Sequence, residues 1–342
     1  MMGVRFPPPA LMFIDFILNS FWLLPVLLVT TVWHVISCYK ENRCNPPGTF
    51  VGIQCRKIHL LHLSAETTDA VKQPTVVIDH SLGGVEGYLL IGKIAQFANV
   101  CLCDRAGYGW SDIAREAPTS SQSISDLDIA LTEADIEPPY ILVGDSLGSY
   151  NMRLYTHRFP EKVVGMVLTD GLHEEAMLKM SLGLRFLQLF FLLGFAISIL
   201  GSALGIVRAC ATFGIFTLIK PQLRKFSTAN IAPVLRSFCR SKHWLTMARE
   251  IISLDRSGQQ LRSANEFGAL PIVNIKSLCF LDLGWLNKIP PLRTADQLRD
   301  DMHNRLMQLS SQCRQVQAER SSHFVWIDQP ELIVSAVRSL MS

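Results

Sequence analysis

Residues 140–151, YILVGDSLGSYN, run an apolar stretch of strand character straight into Gly144-Asp145-Ser146-Leu147-Gly148 and on into a segment of helical spacing. No other feature restricts the fold as tightly. A strand that becomes a helix within so few residues brings neighbouring backbones together, and a Cβ at either glycine would collide with them. The turn also lifts Ser146 to its tip, at a helix start where backbone N–H groups lack partners and can receive a developing oxyanion. A Gly-x-Ser-x-Gly string arises by chance in many chains; its strand–turn–helix setting gives it weight.

The flanking sequence repeats that alternation. TFVGIQCR and KIHLLHL read as an opening hairpin, and PTVVIDH (74–80) as a buried strand ending in HSLGG (80–84). GYLLIGKIAQFA reads as helix, VCLCDRAGYGWSD (100–112) as a strand entering a glycine-rich turn, and SISDLDIALTEADI (123–136) as a helix with Leu127, Leu131 and Ala134 on one face. After the serine turn come a helix stopped by Pro160, the strand VVGMVLTDG (163–171), and later strands in PIVNIK and RQVQAE. Strands alternating with helices predict an α/β fold, a mostly parallel sheet covered on both faces.

Two segments are too apolar for an ordinary soluble domain. From Ala10 to Ser37 the only full charge is Asp15, and FWLLPVLLVTTVWHVI (21–36) has none, which is long enough to cross the hydrocarbon layer as a helix. Lys40, Arg43, Arg56 and Lys57 follow it and only Arg5 precedes it, so the positive-inside bias places the body on the cytoplasmic side of a single-pass anchor. The predicted organisation is an anchor over 1–37, a linker over 38–48 (KENRCNPPG closes it) and an α/β domain over 49–342. Within that domain, an insertion at about 172–267 carries FLQLFFLLGFAISILGSALGIV (186–207), again without charge. By length alone this is a second transmembrane candidate. Charged residues make up only 18 % of the chain and the mean hydropathy is +0.25, in keeping with membrane lipid as a partner.

The net charge is +3, and no Lys/Arg run is interleaved with aromatics, which argues against nucleic acid. Nine scattered cysteines form no Cys-x-x-Cys pair or zinc spacing, so neither a metal nor another cofactor is expected. The odd count fits a reducing compartment. Protein partners leave no signature.

HSLGG, DRAGYGWSD, LVGDSLG, VLTDG and SSHFVWIDQPELIVSAV stand in one order from about residue 49 to the C-terminus. In these motifs the chain resembles the α/β-hydrolase fold superfamily, in its serine esterase/lipase-like branch. The resemblance implies a nucleophile–acid–base order along the chain. Ser146 matches the nucleophile, which sets aside the aspartate-nucleophile branches, and His323 matches the base. A single bilayer crossing at 186–207 would part the two, so the resemblance implies a helical cap in the insertion at about 172–267, with the apolar segment lying in the membrane interface or over the active site. Asp170, at the end of VVGMVLTD, is favoured as the acid, with Asp282 as the alternative. The backbone N–H groups of Leu82 and Leu147 are implied as the oxyanion hole. Where relatives have His-Gly this chain has His80-Ser81, and the Ser81 side chain can tilt the hole, add a donor or mark lost activity. His80 is read as bracing that loop. Asp104, Arg105, Gly107, Gly109 and Trp110 are read as structural. The implied activity is hydrolysis of a lipophilic ester through an acyl-enzyme; a catalytically silent binding or scaffold protein and an acyltransferase are the alternatives.

Overall fold

The computed structural model describes residues 23–66, 73–280 and 290–341. Eight strands form one sheet in the order β1-β2-β4-β3-β5-β6-β7-β8. β1 (Thr49–Ile53) and β2 (Arg56–Leu63) form the expected hairpin, and β2 pairs antiparallel with β4 (Val100–Asp104). From there every pairing is parallel, through β3 (Thr75–Asp79), β5 (Tyr140–Asp145), β6 (Val163–Thr169), β7 (Ile272–Ser277) and β8 (Cys313–Ala318).

Burial follows the pattern that parallel sheets impose. Every residue of β3, β4 and β5 is buried, because helices cover both faces and leave no solvent side for alternation to mark. Cys101 and Cys103 are buried in β4, and burial pushes both thiols up, which suits them to packing rather than reactivity. The outer strand β8 is polar, CRQVQA, as an edge facing water requires.

Helices of seven residues or more are numbered here in chain order. α1 (Leu23–Arg43) precedes the sheet; α2 (Ser120–Glu133) and α3 (Leu147–Arg158) pack against each other beside it. Thr119 caps α2 by accepting from the Gln122 N–H at 3.4 Å, and Arg56 holds Asp126 of α2 through two hydrogen bonds of 2.6 Å. Between β6 and β7 lies a helical insertion containing α4 (Leu182–Ala203), α5 (Ile206–Thr212), α6 (Thr228–Phe238), α7 (Ser241–Ile252) and α8 (Leu254–Gln260). α9 (Pro290–Leu306) links β7 to β8, and α10 (Pro330–Leu340) closes the chain with proline in its first turn.

One expected helix is broken. GYLLIGKIAQFA forms a short 3₁₀ turn, Glu86–Leu89, and a single helical turn, Ile91–Ile94. The Gly87 N–H donates to the ring of His80 at 3.0 Å, so it is committed to the neighbouring loop. The first part of the expected anchor, residues 1–22, lies outside the described residues. α1 and α4 are the described helices long and apolar enough to cross a membrane.

Candidate active site

β5 delivers Ser146 in the conformation the sequence demands. Its φ is 48° and its ψ −109°, a backbone state that side-chain-bearing residues rarely occupy and one that concentrates at functional sites. Both flanking glycines are obligatory. A Cβ on Gly144 would lie 2.6 Å from the Gly148 carbonyl oxygen, and one on Gly148 would lie 2.6 Å from that of Asp79. Strand, turn and helix are thus packed backbone to backbone, which keeps the serine at the tip.

Two loops bring partners to it. Asp170 immediately follows β6, also at positive φ (40°), and donates its N–H to the Ile275 carbonyl of β7 at 2.7 Å. His323 follows β8. Its Nδ1 lies 2.6 Å from Asp170 Oδ2 and its Nε2 3.1 Å from Ser146 Oγ. The carboxylate accepts a hydrogen bond from Nδ1–H, so Nε2 carries a free lone pair that accepts from the serine hydroxyl. Ser146, His323 and Asp170, spread over 177 residues of sequence, are within hydrogen-bonding reach in that order. Asp282 lies outside the described residues.

Asp170 is held more firmly than the sequence indicated. Its Oδ1 accepts from the Ser277 N–H and from His303 Nε2, each at 3.1 Å, and Arg299 stands 3.8 Å away. His303 is completely buried, and its Nδ1 is 3.0 Å from Asn274 Oδ1. Burial alone would push the Asp170 carboxyl up; the hydrogen bonds from His303 and His323 outweigh it and hold the group far below the usual carboxylate range. Asp145, beside the serine, goes the other way. Burial, with the charges of Glu86 and Asp170 adding to it, raises its carboxyl well above normal, and its Oδ1 has no hydrogen-bond partner.

On the opposite side, the loop after β3 carries Leu82, which lines the same cavity as Ser146 and Leu147. The Leu147 amide opens α3 and therefore has no partner within its own helix. Arg105 fixes the loop by donating to the carbonyls of His80 and Ser81, each at 2.8 Å, and to Asp79 at 2.7 Å. Its Nε donates to Glu250 of α7 at 2.9 Å, and Tyr108 donates to the same carboxylate at 2.6 Å. Arg105 pairs with those carboxylates and not with its neighbour Asp104, which takes His59 at 2.9 Å. Ser81 turns its hydroxyl to Glu86 at 2.9 Å. His80 accepts from Gly87 and so carries its proton on Nε2; it braces the loop from complete burial. Trp110 packs beneath the Arg236 guanidinium, 4.5 Å away.

These groups open onto a cavity of about 320 Å³. Its far wall comes from the insertion: Leu184, Leu187, Phe191 and Phe195 of α4, with Met247 and Ile251 of α7. Gln188 also reaches this wall, but its amide is committed to the Ile251 carbonyl at 3.0 Å. The insertion therefore roofs the serine with hydrocarbon. Among the described residues no cluster of His, Cys, Asp and Glu is arranged to hold a metal ion.

Comparison with known proteins agrees with this architecture. The sequence pattern of the alpha/beta hydrolase fold matches residues 74–196. An uncharacterized Bacillus subtilis protein, YqjL, is 24 % identical over 249 residues, covering 72 % of this chain and 75 % of its own. A Saccharomyces cerevisiae protein described as an uncharacterized vacuolar membrane protein is 34 % identical over 125 residues, 34 % of this chain and only 19 % of that one. The solved structure of an enol-lactonase from Burkholderia xenovorans superposes with a TM-score of 0.58 at 13 % identity, over 85 % of this chain and 99 % of that one. Sheet order, the serine turn between β5 and α3, and the matched pattern coincide, and the chain has the alpha/beta hydrolase fold.

Proposed function

We propose that this protein is a membrane-associated serine hydrolase that cleaves lipophilic carboxylic esters. The observation that carries the reading is the hydrogen-bonded line from Ser146 Oγ to His323 Nε2 and from His323 Nδ1 to Asp170. A serine hydroxyl is a weak nucleophile until a base takes its proton. His323 is that base, and the ionised Asp170 fixes its tautomer and stabilises the imidazolium that forms. Ser146 Oγ attacks the ester carbonyl carbon while its proton passes to His323. The Leu82 and Leu147 amides receive the oxyanion. Collapse expels the alcohol with the proton from His323, leaving an acyl-Ser146 ester. Water, deprotonated by His323, then releases the acid and restores the serine.

The hydrocarbon wall of α4 and α7 supports an apolar acyl group as the part of the substrate bound there. The apolar α1, with Lys40 and Arg43 in its last turn, supports a single-pass anchor whose basic end, and the body that follows it, face the cytoplasm.

The test is fluorophosphonate labelling of the full-length protein in membranes, beside Ser146→Ala and His323→Ala. Labelling of the wild type that is lost in both variants is expected. A folded wild type that takes no label sinks the reading and leaves a binding protein built on a hydrolase fold.

A further inference from the structure

The cap insertion and the N-terminal helix meet at a built junction. Thr30 and Thr31 of α1 each donate a hydroxyl to the Leu204 carbonyl, at 2.9 and 3.2 Å, where α4 turns into α5. Gly205 makes the approach possible: its φ is 77°, and a Cβ there would lie 2.2 Å from the Thr30 carbonyl oxygen. Farther along α1, Glu41 accepts from Arg208 and from Arg240, both at 2.5 Å. Contacts at residue 30 and at residue 41 set the cap alongside α1 rather than beyond its end.

That alignment fixes a depth. If Lys40 and Arg43 mark the membrane surface, Thr30 lies ten residues further in, about 15 Å at a rise of about 1.5 Å per residue. This is half of a hydrocarbon layer about 30 Å thick. The α4–α5 corner, hydrogen-bonded to Thr30, is then at mid-bilayer. The cap sequence is suited to that place. Between Phe186 and Ile219 the only charged residue is Arg208, and its guanidinium reaches back to Glu41 at the level of Lys40. The side of the cap turned away from the cavity is open and apolar, with Phe190 68 %, Ile197 71 % and Phe213 81 % exposed. A soluble monomer rarely leaves so large an apolar surface to water.

We propose that the α4–α5 corner is a re-entrant membrane element that enters one leaflet beside α1 without crossing it. It rests on the membrane-anchored reading above and specifies it. α4 then has lipid on one face and, through Leu187, Phe191 and Phe195, the cavity over Ser146 on the other. The cavity is one helix diameter, about 10 Å, from the acyl-chain region. The substrate class that follows is an ester whose acyl chain resides in the bilayer and reaches Ser146 from the leaflet.

The experiment uses full-length chain reconstituted into phosphatidylcholine vesicles, with the photoreactive residue benzoylphenylalanine placed singly at four exposed positions. Ile197 and Phe213 test the cap, Val29 of α1 serves as lipid reference, and Ile129 of α2 as water reference. Ultraviolet illumination is expected to join phospholipid acyl chains to positions 197, 213 and 29, and none to position 129. Adducts at 29 without adducts at 197 and 213 overturn the proposal and leave the anchor standing, as do cross-links from 197 or 213 to a second copy of the chain. Absence of adducts at 29 removes the anchor and the proposal with it, while fluorophosphonate labelling independently reports whether Ser146 is activated.

Discussion

The two walls of the cavity are built on opposite rules. On the sheet side, Asp170 and His323 line the cavity and His303, Arg105 and Asp79 stand behind that wall, polar groups held by partners, several at 3 Å or less. On the cap side, Leu187, Phe191, Phe195 and Ile251 offer almost nothing that accepts or donates a proton. The difference is a division of labour. Dipoles and charges fixed on one wall act most strongly when the other excludes water and keeps the effective dielectric low. On the function proposed above, the sheet wall sets the reaction and the cap wall sets what is brought to it.

The largest effect should come from the polar wall. Asp170→Asn keeps the shape but presents the wrong hydrogen-bond pattern to His323 Nδ1, and fluorophosphonate labelling should slow by about 10⁴-fold, the scale seen when a triad acid becomes an amide. A rate within tenfold of wild type would move the acid elsewhere.

Arg105 joins the two walls. Arg105→Met strands Asp79 and Glu250 as buried carboxylates without their cation, and should cost about 3–5 kcal/mol in urea unfolding. Adding Glu250→Met should recover part of that loss, because it removes one of the stranded charges. Equal stability of single and double variants would show that the tie between sheet and cap contributes nothing.

The apolar wall should affect selectivity and leave the chemistry alone. Phe191→Ala removes hydrocarbon from the roof and should lower kcat/KM for a long-chain ester about tenfold while sparing an acetyl ester, in line with the value of one large apolar contact. A uniform loss on both substrates would place Phe191 in the reaction itself.

A pH-dependent effect probes an imidazole shut inside the cap. Burial, with the Lys242 charge adding to it, lowers His243 to about 3. Free of the fold, the ring protonates near pH 6.5, so between pH 6.5 and 3 the unfolded chain binds the extra proton. Acid therefore draws the equilibrium toward unfolding, by up to about 1.4 kcal/mol per pH unit for one such group. Urea midpoints of the wild type should fall from pH 6.5 to pH 4.5, and His243→Gln should flatten that slope. An unchanged slope would mean the ring is protonated in the fold.

How much of this was written legibly in the chain depended on the range of each interaction. The serine turn was legible because its constraints are local: Gly144, Ser146 and Gly148 must satisfy one another within five residues. Asp170 stood against Asp282 because nothing local says which loop His323 will meet; that depends on the parallel register that sets Thr169 opposite Ile275. Arg105 sat beside Asp104 in sequence but found Glu250, 145 residues away. His303 and Arg299 passed unnoticed in a helix crowded with charges. They share a face with Ala295, Met302 and Leu306, so that two polar residues occupy places due to apolar ones. At residues 86–94 a 3₁₀ turn and one helical turn stand where periodicity predicts a continuous helix.

The hydrocarbon roof also has a thermal consequence. Water inside a chamber walled on one side by leucine and phenylalanine forms few hydrogen bonds, and each molecule displaced by an acyl chain regains them in bulk. Filling such a poorly hydrated pocket releases heat at 25 °C and carries a negative heat-capacity change. For this protein, a calorimeter titrating a non-cleavable long-chain analogue into the Ser146→Ala variant should record affinity that arrives as enthalpy and weakens as the sample is warmed.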